Sequence, residues 1–304
     1  MTTRPTSAPH HRVDGPSSGP PLILGPSLGT PLSVWDPQTA ALARTHRVIR
    51  WDLPGHGRSP AALLPHGGGI PELAASVVAL ADSLGIDRFG YAGISLGGAV
   101  GIHLAAHHPD RVSRLAVVCS SAHFGEPHGW RERARAVRAS GTAPLAPGAA
   151  ERWFTPAFAQ APAATALLGA LRSATDPEAY ARLCEALASY DARGALHRIT
   201  APTLVVAGRD DPATPVAHAR EIADAIPGAG LVEIPRAAHL AHVERPEEVT
   251  SALLAHFATG GDDDGSRHTA GLAVRRAVLG DAQVDRAIAR TTPLTAETAA
   301  APEE

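Results

Sequence analysis

The sequence contains no lysine: all 27 of its basic side chains are arginine. Beside abundant Ala, Gly and Pro, that absence reflects genome composition rather than selection at a site. Cysteine is nearly as scarce. Cys119 and Cys184 offer neither a disulfide framework nor a zinc-ligand spacing, and reduced, buried thiols are expected. An excess of charge is missing too. The formal net charge of -3 leaves no electrostatic footprint for nucleic acid. No run approaches the roughly 20 apolar residues that span a bilayer, and the opening MTTRPTSAPHHRVDGPSSGPP lacks the apolar stretch of a secretory signal. A cytoplasmic protein is expected, with no membrane or nucleic-acid partner.

What is present is a globular composition. The 304 residues are 44% hydrophobic and 19% charged, enough for one large core plus a small appendage. Residues 1–9, rich in Pro, Ser and Thr, read as a disordered start, and residues 10–14 as a short edge strand. PLILGPSLG reads as a buried strand entering a Gly-rich loop. HRVIRWDLPGHGRS carries a strand at Val48 to Trp51, and residues 71–84 repeat with helical periodicity behind Pro71. DRFGYAGIS ends a strand sharply, LGGAVGIHLAAHHP continues as a helix of small residues, and VSRLAVVCSS is the next strand. From about residue 124 to about 195 the pattern becomes mainly helical. Strand–helix alternation then resumes through PTLVVAG, AHAREIADAI, LVEIP and PEEVTSALLAHF. Such alternation predicts an α/β fold with a mostly parallel central sheet and helices on both faces. The helical block predicts an inserted cap within a domain spanning 10–258. Residues 259–268 read as a polar linker, and 269–304 as a short helical piece with a solvated tail.

The strongest local signal is Gly93-Ile94-Ser95-Leu96-Gly97, a G-x-S-x-G turn between a strand and a helix. A serine on such a turn occupies a strained backbone, so its neighbours two positions away must be small. Its hydroxyl then projects above the sheet, at a helix N-terminus that favours developing negative charge. Taken alone, the same residues also describe an ordinary tight turn. Serine is a poor nucleophile without a base, and the base needs an orienting group. On a sheet of this kind the order Ser, acid, His points to Asp211 after PTLVVAG and His239 after LVEIP, both at carboxyl ends of strands. Asp210 and His242 are the competing choices. Asp211 is favoured by its place directly before Pro212, and His239 by coming first after its strand. Cys119 ends a strand without such a turn and reads as core. An oxyanion site would draw on the amides of Leu96 and Leu28, since Pro26 has none to give. This chemistry calls for no cofactor and no metal.

Asp52-x-x-Gly55-x-Gly57-x-Ser59, the turn at Ser95, Gly208-x-x-Asp211-Pro212 and His239 with Glu244 and Pro246 together resemble the α/β-hydrolase family over residues 10–258. More narrowly, Pro26-Ser27-Leu28-Gly29-Thr30 with Trp35-Asp36-Pro37 is similar to 3-oxoadipate enol-lactone hydrolases. So are Trp130-Arg131-Glu132-Arg133 and Arg152-Trp153-Phe154-Thr155-Pro156. The resemblance implies hydrolysis of a small-molecule lactone carrying a free carboxylate, in the breakdown of aromatic compounds. An Arg fork could bind that carboxylate, with Arg133 as the candidate and Trp130 and Trp153 as apolar walls. Another esterase or lactonase, a cofactor-free haloperoxidase-like enzyme and a catalytically silent binding protein are the alternatives on this fold. Residues 271–291 resemble the first helix of 4-carboxymuconolactone decarboxylases. The likeness stops near Ala296, so no decarboxylase activity is expected.

Overall fold

In the computed structural model the structure describes residues 8–258. The chain divides after Thr250 into two units, and the sheet and the candidate site belong to the first. Seven strands form one sheet: β1 (His11–Asp14), β2 (Pro21–Gly25), β3 (Arg47–Trp51), β4 (Phe89–Ile94), β5 (Val112–Val118), β6 (Thr203–Gly208) and β7 (Gly230–Ile234). Their order is β1-β3-β2-β4-β5-β6-β7. Only β1 runs antiparallel, pairing His11 with Trp51. The α/β fold read from the sequence is therefore the observed one, with β3 beginning at Arg47 rather than Val48.

The middle strands are apolar along their whole length because they are covered on both faces. Leu22, Ile23 and Leu24 of β2 are fully buried, as are Val205 and Val206 of β6 to within 1%. The chain steps outward from β2 to β3, then crosses back to β4 and continues to β7. That reversal falls between β2 and β4, which pair in register from Leu22 and Gly90 to Gly25 and Gly93. Open α/β sheets bind ligands in the crevice such a reversal leaves.

Ten α-helices occur among the described residues. Before the crossing to β5 come α1 (Asp36–Leu42), α2 (Ile70–Ser83) and α3 (Leu96–His107). Between β5 and β6 lie α4 (Pro127–Ser140), α5 (Ala146–Trp153), α6 (Pro162–Ser173) and α7 (Pro177–Ala188). The closing part carries α8 (Val216–Ala225), α9 (Ala241–Glu244) and α10 (Pro246–Phe257). Every helix of the 127–188 block has Pro at its first or second position, where the missing N–H costs no intrahelical bond. Asp176 caps α7 by accepting the Ala179 amide at 2.8 Å, a cap of the kind worth about 1 kcal/mol.

This helical segment is tied to the strand-end loops by backbone bonds. The Asp176 amide donates to Gly55 O at 2.7 Å, Gly57 to Ala174 O at 2.9 Å, and Leu240 to Trp153 O at 2.9 Å. Among the described residues no helix is long and apolar enough to cross a membrane. The resemblance in 271–291, the linker at 259–268 and most of the N-terminal tail lie outside the described residues.

Candidate active site

Ser95 stands between β4 and α3 with φ 55° and ψ -117°. Such a conformation costs a non-glycine residue about 1–3 kcal/mol and persists only where surrounding bonds impose it. Here the Ser95 amide donates to Val118 O at 3.0 Å, and its carbonyl accepts the Ala99 amide at 3.1 Å and the Ser120 hydroxyl at 2.6 Å. The flanking glycines are required by contact. A Cβ on Gly93 would lie 2.1 Å from Gly97 O, and one on Gly97 would lie 2.4 Å from Gly25 O. The Gly97 amide donates to Pro26 O at 3.1 Å, fixing the turn against the loop after β2.

Asp211 follows β6 and His239 follows β7, as the sequence indicates. Their loops are stitched together: the Arg209 amide donates to Ile234 O and the Asp210 amide to Ala237 O, both at 2.9 Å. Oδ2 of Asp211 lies 2.9 Å from His239 Nδ1 and accepts the Thr214 hydroxyl at 2.7 Å. Oδ1 accepts the amides of Ala213 and Thr214 at 2.7 and 2.9 Å. Burial pushes the Asp211 carboxyl up, but the charge of His239 and the hydrogen bonds from His239 and Thr214 outweigh it. The carboxyl is held below its ordinary value. A carboxylate so bonded orients an imidazole with its proton on Nδ1 and leaves Nε2 to act as base.

The competitors occupy other surroundings. Asp210 contributes its amide to the loop just described. His242 is fully buried against Trp35, with ring centroids 4.6 Å apart, and burial pushes it down to about 3. Cys119 is buried with φ 40°, and burial raises its thiol above the ordinary range, which leaves it a poor nucleophile.

Ser95 and His239 line one cavity of about 260 Å³ with Ser27, Leu28, Phe124, Trp130, Arg133, Arg152, Trp153 and Tyr180 among its walls. A space of this size suits a small molecule. Among the described residues, the amides of Leu28 and Leu96 donate to no protein acceptor, although the amides of Gly29, Ser95 and Gly97 do. Two free N–H groups beside a nucleophile can receive an oxyanion. The Leu28 loop is held by the next amide, that of Gly29, which donates to His56 Nε2 at 3.0 Å. Leu96 is buried at the start of α3.

Every cavity residue named from sequence is brought to this place. Trp130 donates its indole N–H to Phe124 O at 2.7 Å, Arg133 lies over the Trp130 ring at 4.8 Å, and Trp153 is 6% exposed. Sequence reasoning did not assign cavity roles to Arg152 or Tyr180, nor a structural role to His56. Arg152 stands directly before Trp153, and His56 between the two glycines of the β3 loop, which are the only signals they left. A larger cleft of about 520 Å³, lined by Glu72, His103, His107, Tyr190 and Asp191 among others, holds no comparable serine–histidine–carboxylate arrangement among the described residues.

A model of the "Alpha/beta hydrolase family" matches residues 22–252. The chain belongs to this family. It is 39% identical over 242 residues to 3-oxoadipate enol-lactonase 2 of Acinetobacter baylyi, covering 79% of this chain and 90% of that protein. The crystal structure of the enol-lactonase from Burkholderia xenovorans superposes with a TM-score of 0.76 at 38% identity, covering 81% of this chain and 94% of that one. The chain is also 32% identical over 263 residues to a protein named putative carbamate hydrolase RutD of Stutzerimonas stutzeri, covering 82% and 95% of the two chains. Hydrolysis is the chemistry common to these α/β-hydrolase relatives. The family match ends at residue 252 and gives no support to the decarboxylase resemblance read beyond it.

Proposed function

We propose that this hydrolase opens 3-oxoadipate enol-lactone to 3-oxoadipate through an acyl-enzyme on Ser95, with His239 as general base and Asp211 as its orienting acid. One observation carries the reading: a strained serine shares a small cavity with a histidine whose Nδ1 is bound by a saturated, buried carboxylate. The two enol-lactonase relatives support the choice of substrate.

In this mechanism Ser95 Oγ attacks the lactone carbonyl carbon while His239 Nε2 takes its proton. The carbonyl electron pair moves to oxygen, where the amides of Leu28 and Leu96 meet it. Removing one donor of this kind costs roughly a hundredfold or more in rate. Collapse of the tetrahedral intermediate breaks the ring C–O bond and expels an enolate, which the imidazolium protonates. The enol tautomerises to the ketone, drawing the step forward. Water deprotonated by His239 then attacks the acyl ester, Ser95 departs with its proton restored, and the acid is released. Arg133 binds the substrate carboxylate, and Trp130 and Trp153 form the apolar walls.

The test is disappearance of enol-lactone with the purified chain and with Ser95→Ala. Turnover by the wild type and its loss in the variant are expected. Hydrolysis of simple esters or carbamates without enol-lactone turnover would overturn the substrate. An inert wild type across the whole panel would leave a binding protein.

A further inference from the structure

The cavity beside Ser95 carries more positive charge than a single guanidinium fork supplies. Arg133 of α4 and Arg152 of α5 both line it. Arg133 is stacked on Trp130, with Tyr180 in the same cavity wall. Arg152 rests on its own helix, where a Cβ at Gly148 would come 3.1 Å from Nη1. Neither guanidinium is paired with a carboxylate among the described residues. Elsewhere in the helical segment Arg138 holds Glu178 and Glu185, Arg182 holds Glu178, and Arg193 holds Asp191, while Arg131, Arg135 and Arg172, which hold no carboxylate, are exposed to solvent.

Two like charges sharing a small, half-buried space lose hydration and repel each other. Burial first, and the charge of Arg133 second, push Arg152 below its ordinary value, while Tyr180 and the exposed Glu151 act the other way. An anion entering the cavity reverses both costs. It restores polar partners to two planar donor forks and cancels their repulsion.

We propose that Arg152 joins Arg133 in a two-guanidinium clamp that makes this site select acyl substrates bearing a free carboxylate at the far end of the acyl chain. The clamp rests on the reading of Ser95 as nucleophile, because that fixes where the acyl carbon lies. It adds to that reading a specificity-determining residue, Arg152, which the substrate carboxylate would meet beside Arg133. A site built around such donors rejects the analogue that leaves them unpaired.

Matched esters test the clamp without the enol-lactone. Monomethyl adipate and methyl hexanoate present acyl chains of equal length that differ in the terminal carboxylate. The wild-type kcat/KM should favour the charged ester by about tenfold or more, as loss of a charge-assisted hydrogen bond implies. Arg152→Gln and Arg133→Gln should each lower that preference, and Arg152→Lys should recover part of it. Adipate should inhibit the wild type competitively, and salt should weaken the inhibition.

A wild-type preference near one, absence of adipate inhibition, or an Arg152→Gln preference within about twofold of wild type would overturn the clamp. If Arg152→Gln does not fold, the wild-type preference and the Arg152→Lys inhibition constant decide the matter. A charged-ester preference without enol-lactone turnover would sink the substrate proposed above and leave the clamp standing. Enol-lactone turnover with an unchanged preference in both Gln variants would do the reverse.

Discussion

His56 Nε2 accepts the amide of Gly29 at 3.0 Å, so an imidazole from the loop after β3 holds the loop after β2 that carries Leu28. Its other nitrogen, Nδ1, donates to Pro54 O at 2.9 Å. The ring is therefore neutral with its proton on Nδ1, and its complete burial pushes it down to about 4. His56→Leu would leave the Gly29 amide and the Pro54 carbonyl without these partners. A loss of about 1–3 kcal/mol in unfolding free energy is expected, with a fall in kcat as the Leu28 amide loses its fixed position. Urea unfolding and ester turnover measure the two effects. Full activity in a stable variant would detach His56 from the oxyanion loop.

The buried histidines set the acid side of stability. Burial lowers His56 to about 4 and His242 to about 3 from an ordinary 6.5. Below pH 6.5 the unfolded chain binds protons that the folded chain refuses. Stability therefore falls as pH drops from that value towards the folded pKa values, by up to about 1.4 kcal/mol per pH unit for each proton. Asp211 acts in the same direction at lower pH. Its depressed carboxyl stabilises the fold above the unfolded carboxylate range, and that contribution is lost as pH falls through the folded value. Urea midpoints between about pH 7.5 and about pH 5 should decline, and His242→Leu should flatten the slope. A flat wild-type profile would contradict the neutral burial of these rings.

Glu244 fixes the residue before His239. One carboxylate oxygen accepts the Ala238 amide at 2.5 Å, and the other accepts the Thr155 amide and hydroxyl at 2.9 and 2.6 Å. Three donors converge on one side chain, so Glu244→Gln must turn an N–H towards at least one of them. A destabilisation of about 1–3 kcal/mol is expected. A fall in kcat larger than any rise in KM should accompany it, since the proposed base, His239, is displaced more than the proposed binding walls. Denaturant unfolding with steady-state kinetics checks both. An unchanged kcat would confine Glu244 to holding Thr155 of the helical segment.

Gly93→Ala would drive a methyl into Gly97 O at 2.1 Å, a contact with backbone that cannot rotate away. Destabilisation of at least about 2 kcal/mol, or failure to fold, is expected. A soluble variant with wild-type thermal midpoint would mean that β4 and α3 separate more easily than their packing suggests.

The parts of this molecule readable from sequence are those written in local patterns. The turn at Ser95 is visible because two glycines and a helix of small residues are what a close strand–helix crossing needs. Asp211 and His239 are legible because each lies in the short loop that follows a strand, β6 ending at Gly208 and β7 at Ile234. The competition between His239 and His242 was open until packing distinguished them: His242 is buried against Trp35, a residue over two hundred positions away. The Gly29–His56 bond joins residues from different loops, and no spacing announces it. Arg152 was hidden for a related reason. Its approach to Arg133 depends on how α4 and α5 settle over the strand ends, and a half-exposed cap arginine has the same sequence texture whether or not it meets a cavity.

The most direct measurement of the central claim is fluorophosphonate labelling followed by mass mapping, in the wild type, Ser95→Ala and His239→Ala. The wild type should carry one adduct, on the peptide containing Ser95. Ser95→Ala should carry none, and His239→Ala should label more slowly by several orders of magnitude, as the loss of a general base implies. An unlabelled Ser95 in folded wild-type protein, or equal labelling rates with and without His239, would contradict the account.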